Sequence, residues 1–249
     1  MKELILLVAF CANSGGAAEL LSDPQQDGVQ ATSQAVTSSV VQADWANLAA
    51  YHDANASLPP PIPGKPRIVF LGDSITQGWE LGTSKLVRGE LINRGISGQT
   101  TPQMLLRFRQ DVINLQPNIV HIIAGTNDIA ENTGPTTLEA IENNLMSMVD
   151  LAQKNGIRVV LASLPPAADF PWRPGLSPAA KIVALDRWIR DYSSKKGLIF
   201  IDYHAQLADA QQGFKTALSD DGVHPNKDGY TVMSRVAYEA FQKISRKTK

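Results

Sequence analysis

From Arg67 onward, short apolar runs alternate with amphipathic segments, and that alternation restricts the chain to the α/β class. The runs are Ile68-Val69-Phe70-Leu71, Leu91-Ile92-Asn93, Ile119-Val120-His121-Ile122-Ile123, Val159-Val160-Leu161 and Leu198-Ile199-Phe200-Ile201. Helical patterning fills residues 101–115, 137–155 and 178–196 between them, and a last helix is expected at 227–245. Strands separated by helices pair in parallel through right-handed crossovers, so the expected architecture is a three-layer α/β/α sandwich around a five-stranded parallel sheet. In such sheets a site forms outside the carboxyl ends of the strands.

A chain of 249 residues, 43% hydrophobic and 19% charged, is long enough to bury one full core. The formal net charge of -1 supplies no field to gather nucleic acid or an anionic membrane surface, which points to a small-molecule partner. Cys11 is the single cysteine, so no intrachain disulfide and no cysteine-built metal site is expected. Residues 1–18 carry Lys2, the apolar run Leu4 to Ala12 and small residues ending Gly16-Ala17-Ala18, the pattern of a signal peptide and hence of an exported, periplasmic or secreted protein. Cys11 raises the rival reading of a lipid anchor, against which the bulky Phe10 argues. No run approaches the ~20 apolar residues of a transmembrane helix. A polar leader and an N-terminal helix near 42–55 are expected within residues 19–64, and the main domain at 65–249.

Chemistry-bearing residues fall at the predicted strand ends. Ser74, in Gly72-Asp73-Ser74, follows the first strand, where it could be a nucleophile or simply cap a helix. Gly98 follows the second and can bring a backbone N–H close to a substrate. Asn127, in Gly125-Thr126-Asn127-Asp128, follows the third and offers a neutral amide donor. Asp221 and His224, three apart in the loop before the last helix, suit a carboxylate that orients an imidazole base. Among the other histidines, His121 lies within a strand and reads as core, His52 lies in the leader helix, and His204, near Asp202, is the rival base. The proline-rich connection Leu164 to Gly175 is long enough to be a binding loop, with Asp73, Trp172 and Arg173 as candidate substrate contacts.

With these four blocks in this order, Gly72-Asp73-Ser74-Ile75, Gly98, Gly125-Thr126-Asn127-Asp128 and Asp221-Gly222-Val223-His224-Pro225, the chain resembles the SGNH (GDSL-type) hydrolase superfamily over about Arg67 to Phe241. The resemblance implies a flavodoxin-like sandwich and a cofactor-free, metal-free serine esterase. Ser74, His224 and Asp221 would form its triad, and the N–H groups of Ser74 and Gly98 with the Asn127 amide its oxyanion hole. Members of this superfamily cleave acetylated sugars, lysophospholipids and thioesters on one scaffold, so short-chain ester hydrolysis, possible deacetylation of carbohydrate, stands beside a lysophospholipase-like or thioesterase-like role. A carbohydrate-binding protein that kept the fold without turnover is the alternative from another class. A nucleotide-binding flavodoxin relative is disfavoured, because no G-x-G-x-x-G or P-loop spacing follows the first strand.

Overall fold

The computed structural model describes residues 44–80 and 89–246. The expected signal segment 1–18 with Cys11, and the leader up to residue 43, lie outside the described residues.

Five parallel strands, β1 (Arg67–Gly72), β2 (Glu90–Gly95), β3 (Ile119–Ile122), β4 (Arg158–Ala162) and β5 (Ile199–Ile201), form one sheet in the order β2-β1-β3-β4-β5. The helices are α1 (His52–Ala56), α2 (Ser74–Gln77), α3 (Thr101–Asp111), α4 (Thr126–Ile129), α5 (Leu138–Lys154), α6 (Ala179–Lys196), α7 (His204–Leu207) and α8 (Lys227–Arg246). All six β1 residues are buried, because the sheet is covered on both faces. Strand alternation then divides the core in two. Val69, Leu71, Val120, Ile122, Val159 and Leu161 pack with Met104 and Phe108 of α3, Leu145 and Met148 of α5, and Leu185 and Ile189 of α6. Ile68, Phe70, Ile119, Val160 and Ile201 point the other way, onto Met233, Ala237 and Phe241 of α8.

Two expected helices end differently from their sequence pattern. The one expected at 101–115 stops at Asp111, and a separate 3₁₀ turn, Ile113–Leu115, follows Val112. The one expected at 42–55 is reduced to α1. Asn47 takes a left-handed φ of 52°, and the Asp44 carboxylate accepts from Ala49 N at 2.7 Å, so a side chain replaces the helical backbone acceptor there.

Residues 44–64 fall within the same compact unit as the strands, Asp44–Lys249. Residues 44–50 are sewn on by glutamines. Gln99 Nε2, Gln103 Nε2 and Gln110 Nε2 donate to the carbonyls of Ala46, Trp45 and Leu48 at 2.8, 2.6 and 2.6 Å. The strand order reverses at β1, where β2 lies to one side and β3 to the other. A crevice is expected outside the carboxyl ends of β1 and β3, and Ser74 and Asn127 follow those two strands.

Candidate active site

Gly72 closes β1 where no side chain fits, since a Cβ there would lie 2.1 Å from Thr76 Oγ1 and 2.8 Å from Ile123 O. The tight exit makes Asp73 the N-cap of α2, its carboxylate accepting from Ile75 N at 3.0 Å, and sets Ser74 as the first helical residue. Ser74 Oγ and His224 Nε2 are 2.9 Å apart, and His224 Nδ1 lies 2.6 Å from Asp221 Oδ2. Because the ionised carboxylate can only accept, Nδ1 carries the ring proton and donates it, leaving the Nε2 lone pair to accept the Ser74 hydroxyl proton.

His224 and Asp221 are held by their own loop. Asp221 Oδ1 accepts from Val223 N and His224 N at 2.9 and 2.7 Å, and Asn226 Oδ1 caps α8 through Asp228 N and Gly229 N. Burial pushes the Asp221 carboxyl up, but the hydrogen bonds from the His224 side chain and the two backbone N–H groups outweigh it and hold the group at about 2. The relay is open to solvent, with the His224 and Asp221 side chains 38% and 42% exposed.

Gly98 stands in the loop after β2 with φ at +76°, a conformation that favours glycine. That loop is fixed by Asp128, whose carboxylate accepts from Thr101 N at 2.9 Å and from Thr101 Oγ1 at the head of α3. Thus the residue beside Asn127 positions the segment that carries Gly98. Asn127 Nδ2 donates to Asp73 Oδ2 at 3.2 Å and to Gln99 O at 3.1 Å, while its Oδ1 accepts from Asn132 Nδ2 at 2.8 Å. Behind these groups the fully buried Arg107 donates to Gln99 Oε1, Asp111 Oδ2 and Gly72 O at 2.5, 3.1 and 3.0 Å, tying the β1 exit to the Gly98 loop.

Ser74, Asp221 and His224 are therefore joined in one hydrogen-bonded series, with Gly98 and Asn127 linked beside them through Asn132 and Gln99. Trp172 comes from the proline-rich connection. Its ring centroid lies 6.1 Å from that of His224, and the buried Phe170 stacks on it at 5.1 Å. Arg173 Nη2 donates to Glu131 O at 3.0 Å. Asp73, by contrast, is fully buried with its oxygens turned to Ile75 N and Asn127 Nδ2, so its place is behind the amide and away from any substrate. Burial raises its carboxyl to about 6, against the pull of the Ile75 N–H.

His204 is occupied elsewhere. Its Nδ1 lies 2.9 Å from Asp186 Oδ2 and its Nε2 3.0 Å from Gln212 Oε1, and Asp202 pairs with Arg190. Sequence reasoning did not find Asn132 or the roles of Asp128 and Arg107. Asn132 sits in a Glu-Asn-Thr-Gly stretch that reads as an ordinary turn, with no local signal of a partner.

A serine, an imidazole and a carboxylate in hydrogen-bonded series on the carboxyl rim of a β2-β1-β3-β4-β5 sheet are the equipment of an enzyme that hydrolyses acyl bonds. The chain belongs to the GDSL-like lipase/acylhydrolase family, whose model matches residues 70–232, and it is a carboxylic ester hydrolase. It is similar to a GDSL-like lipase of Bacteroides thetaiotaomicron, with 41% identity and a TM-score of 0.76 over 80% of this chain and 98% of that one. An acetylxylan esterase of Geobacillus stearothermophilus is 23% identical over 205 residues, 68% of this chain and 90% of that protein. An uncharacterized lipoprotein, YqeF, of Bacillus subtilis is 31% identical over 117 residues, 40% of this chain, and the chain spans about half (48%) of that relative's length.

Proposed function

We propose that the protein is a serine esterase of short-chain carboxylic esters that works through an acyl-enzyme, with acetylated carbohydrate as its substrate class. The observation that carries this reading is the series Ser74 Oγ, His224 Nε2, His224 Nδ1, Asp221 Oδ2 at 2.9 and 2.6 Å. In the first half-reaction Ser74 Oγ attacks the ester carbonyl carbon while His224 Nε2 takes the hydroxyl proton. Asp221 holds the imidazole in the required tautomer and balances its charge. The carbonyl oxygen becomes the oxyanion, which the N–H groups of Ser74 and Gly98 and the Asn127 amide stabilise. Collapse of the tetrahedral intermediate breaks the bond to the leaving alcohol, which receives the proton from His224. Water then attacks the acyl-enzyme, giving its proton to His224, and the acid leaves as Ser74 regains its proton.

The open relay, with Trp172 as a rigid aromatic wall on the stacked Phe170, supports a shallow acyl site beside a surface on which a sugar ring can lie. The acetylxylan esterase relative supports the same direction. Export, argued from residues 1–18 and the lipoprotein relative, would place the enzyme where polysaccharide is met.

The test is p-nitrophenyl acetate turnover and fluorophosphonate labelling of wild type and Ser74→Ala. Removing the nucleophile should lower kcat by at least ~10³-fold and abolish labelling, with an unchanged circular dichroism spectrum. Turnover close to wild type in that variant would remove Ser74 from the chemistry.

A further inference from the structure

The side chain of Asn132 touches two of the three proposed oxyanion donors and is itself pinned by the tryptophan on the site's wall. Glu131 takes a left-handed φ of 57°, a strained conformation for a residue with a side chain, and so turns the chain sharply after α4. The turn is closed by Asn132 N donating to Asn127 O and by Gly134 N donating to Glu131 O, both at 3.0 Å. Arg173 holds the same turn from outside through Glu131 O. The strain brings the Asn132 amide back over Asn127.

There, Asn132 Nδ2 donates to Asn127 Oδ1 at 2.8 Å and to Gly98 O at 3.3 Å, and Asn132 Oδ1 accepts from Trp172 Nε1 at 3.1 Å. An indole N–H can only donate, so the contact with Trp172 decides which end of the Asn132 amide is oxygen. The other end, the NH₂, must then face Asn127, and it binds only an oxygen. A terminal amide has a broad, roughly twofold torsion with little preference of its own, so its partners set its direction. With Oδ1 held by Asn132, the Nδ2 end of Asn127 is directed to Asp73 Oδ2 and Gln99 O, beside the segments that carry Ser74 and Gly98. The reverse orientation would aim a partial negative charge at the place where the oxyanion develops.

We propose that Asn132 is a positioning residue, which orients the Asn127 amide and the Gly98 peptide for oxyanion stabilisation and is set in turn by Trp172. The proposal rests on reading the site as an esterase with Asn127 as a donor. Trp172 is then both wall and anchor, and the 164–178 connection is coupled to the reaction through one hydrogen-bonded chain, Trp172 to Asn132 to Asn127.

The experiment is a double-mutant cycle on p-nitrophenyl acetate, with indole N–H resonances followed by NMR. Asn132→Ala should lower kcat roughly 10- to 100-fold with KM unchanged, because the loss is in transition-state geometry. In an Asn127→Ala background the same change should cost nothing more, since the group it orients is gone. Asn132→Asp keeps the acceptor for Trp172 but presents a carboxylate to Asn127 Oδ1, and should be at least as slow as Asn132→Ala. Trp172→Phe keeps an aromatic wall without the N–H and should show a smaller loss of kcat. A rise confined to KM, or a full additional loss on top of Asn127→Ala, would overturn the proposal. The Trp172 indole proton, assigned by its absence in Trp172→Phe, should move in Asn132→Ala whether or not the enzyme turns over. An unmoved resonance would overturn the coupling, whereas absence of wild-type turnover with a moved resonance would instead count against the esterase reading.

Discussion

Asn127 donates its Nδ2 to Asp73 Oδ2 across 3.2 Å, so the carboxylate next to the candidate nucleophile faces an amide. Asp73 is fully buried, and its pKa is raised from 3.8 to about 6, chiefly by burial. Because the folded value is the higher, the stability linked to this group is complete below the unfolded pKa and is lost as pH rises through about 6. At neutral pH the ionised form costs on the order of 3 kcal/mol. Asp73→Asn keeps an acceptor for Ile75 N and removes that charge. Its melting temperature relative to wild type should therefore rise from pH 4 toward pH 8, on top of a pH-independent cost of setting the new amide NH₂ against Asn127 Nδ2. Its kcat should fall, because an amide no longer selects the Nδ2 end of Asn127. A melting difference that does not vary with pH would show that Asp73 is not the group responsible.

His224 and His204 each pair with an aspartate, and the two pairs should separate cleanly on substitution. His224→Ala removes the imidazole bonded to Ser74, so activity should drop by at least ~10³-fold with little change in melting temperature. His204→Ala strands the buried Asp186 carboxylate, whose remaining hydrogen bond comes from Leu164 N at 2.7 Å. It should lose stability on the order of 3 kcal/mol while keeping wild-type kcat at 25 °C. Kinetics and calorimetry on the pair decide this, and the opposite pattern would transfer the base to His204.

A third prediction concerns acid stability. His121 is buried between the sheet and α8, with its ring 4.6 Å from Phe70 and its Nε2 2.9 Å from Tyr203 Oη. Burial lowers its pKa from 6.5 to about 3, so the folded state holds the neutral ring. The folded value is depressed, hence this contribution is complete above about 6.5 and is lost as pH falls toward 3. Replacing both partners, as in His121→Phe with Tyr203→Phe, removes the titrating group without orphaning either polar atom. The double variant should lose less stability than wild type between about pH 6 and 4. Tyr203→Phe alone should be destabilised at every pH by roughly 1–3 kcal/mol, because His121 then lacks its partner. Chemical denaturation across that range measures both.

The sheet was legible because its central strands are buried on both faces and so are largely apolar, as Ile68 to Leu71 are. The gathering of Ser74, Gly98 and Asn127 was legible too, since all three follow adjacent strands on the same rim. What stayed hidden depends on where the chain returns. Asn132 is polar, exposed and set in a turn, and only the left-handed Glu131 aims it at Asn127. Asp73 reads as a residue beside the candidate nucleophile, yet the sharp exit from β1 turns it inward. The first helix was overestimated, because Asp44 competes for a backbone N–H through a side-chain bond that helical periodicity does not register.

The last prediction follows from the wall of the site. Trp172 is stacked on a buried Phe170 and pinned through its N–H to Asn132, so it cannot easily swing aside to open a long groove. The connection that carries it holds Pro165, Pro166, Pro171, Pro174 and Pro178, which stiffen it further. Each added methylene gains ~0.8 kcal/mol only where it is buried. Chain length should therefore bring no specificity, and kcat/KM on p-nitrophenyl esters should be highest for acetate and butyrate and lower at ten or more carbons. Trp172→Ala should relax this order, raising kcat/KM for the longer esters relative to acetate as the wall is removed. A steady rise of wild-type kcat/KM out to decanoate would refute the shallow site and favour a lysophospholipase-like enzyme.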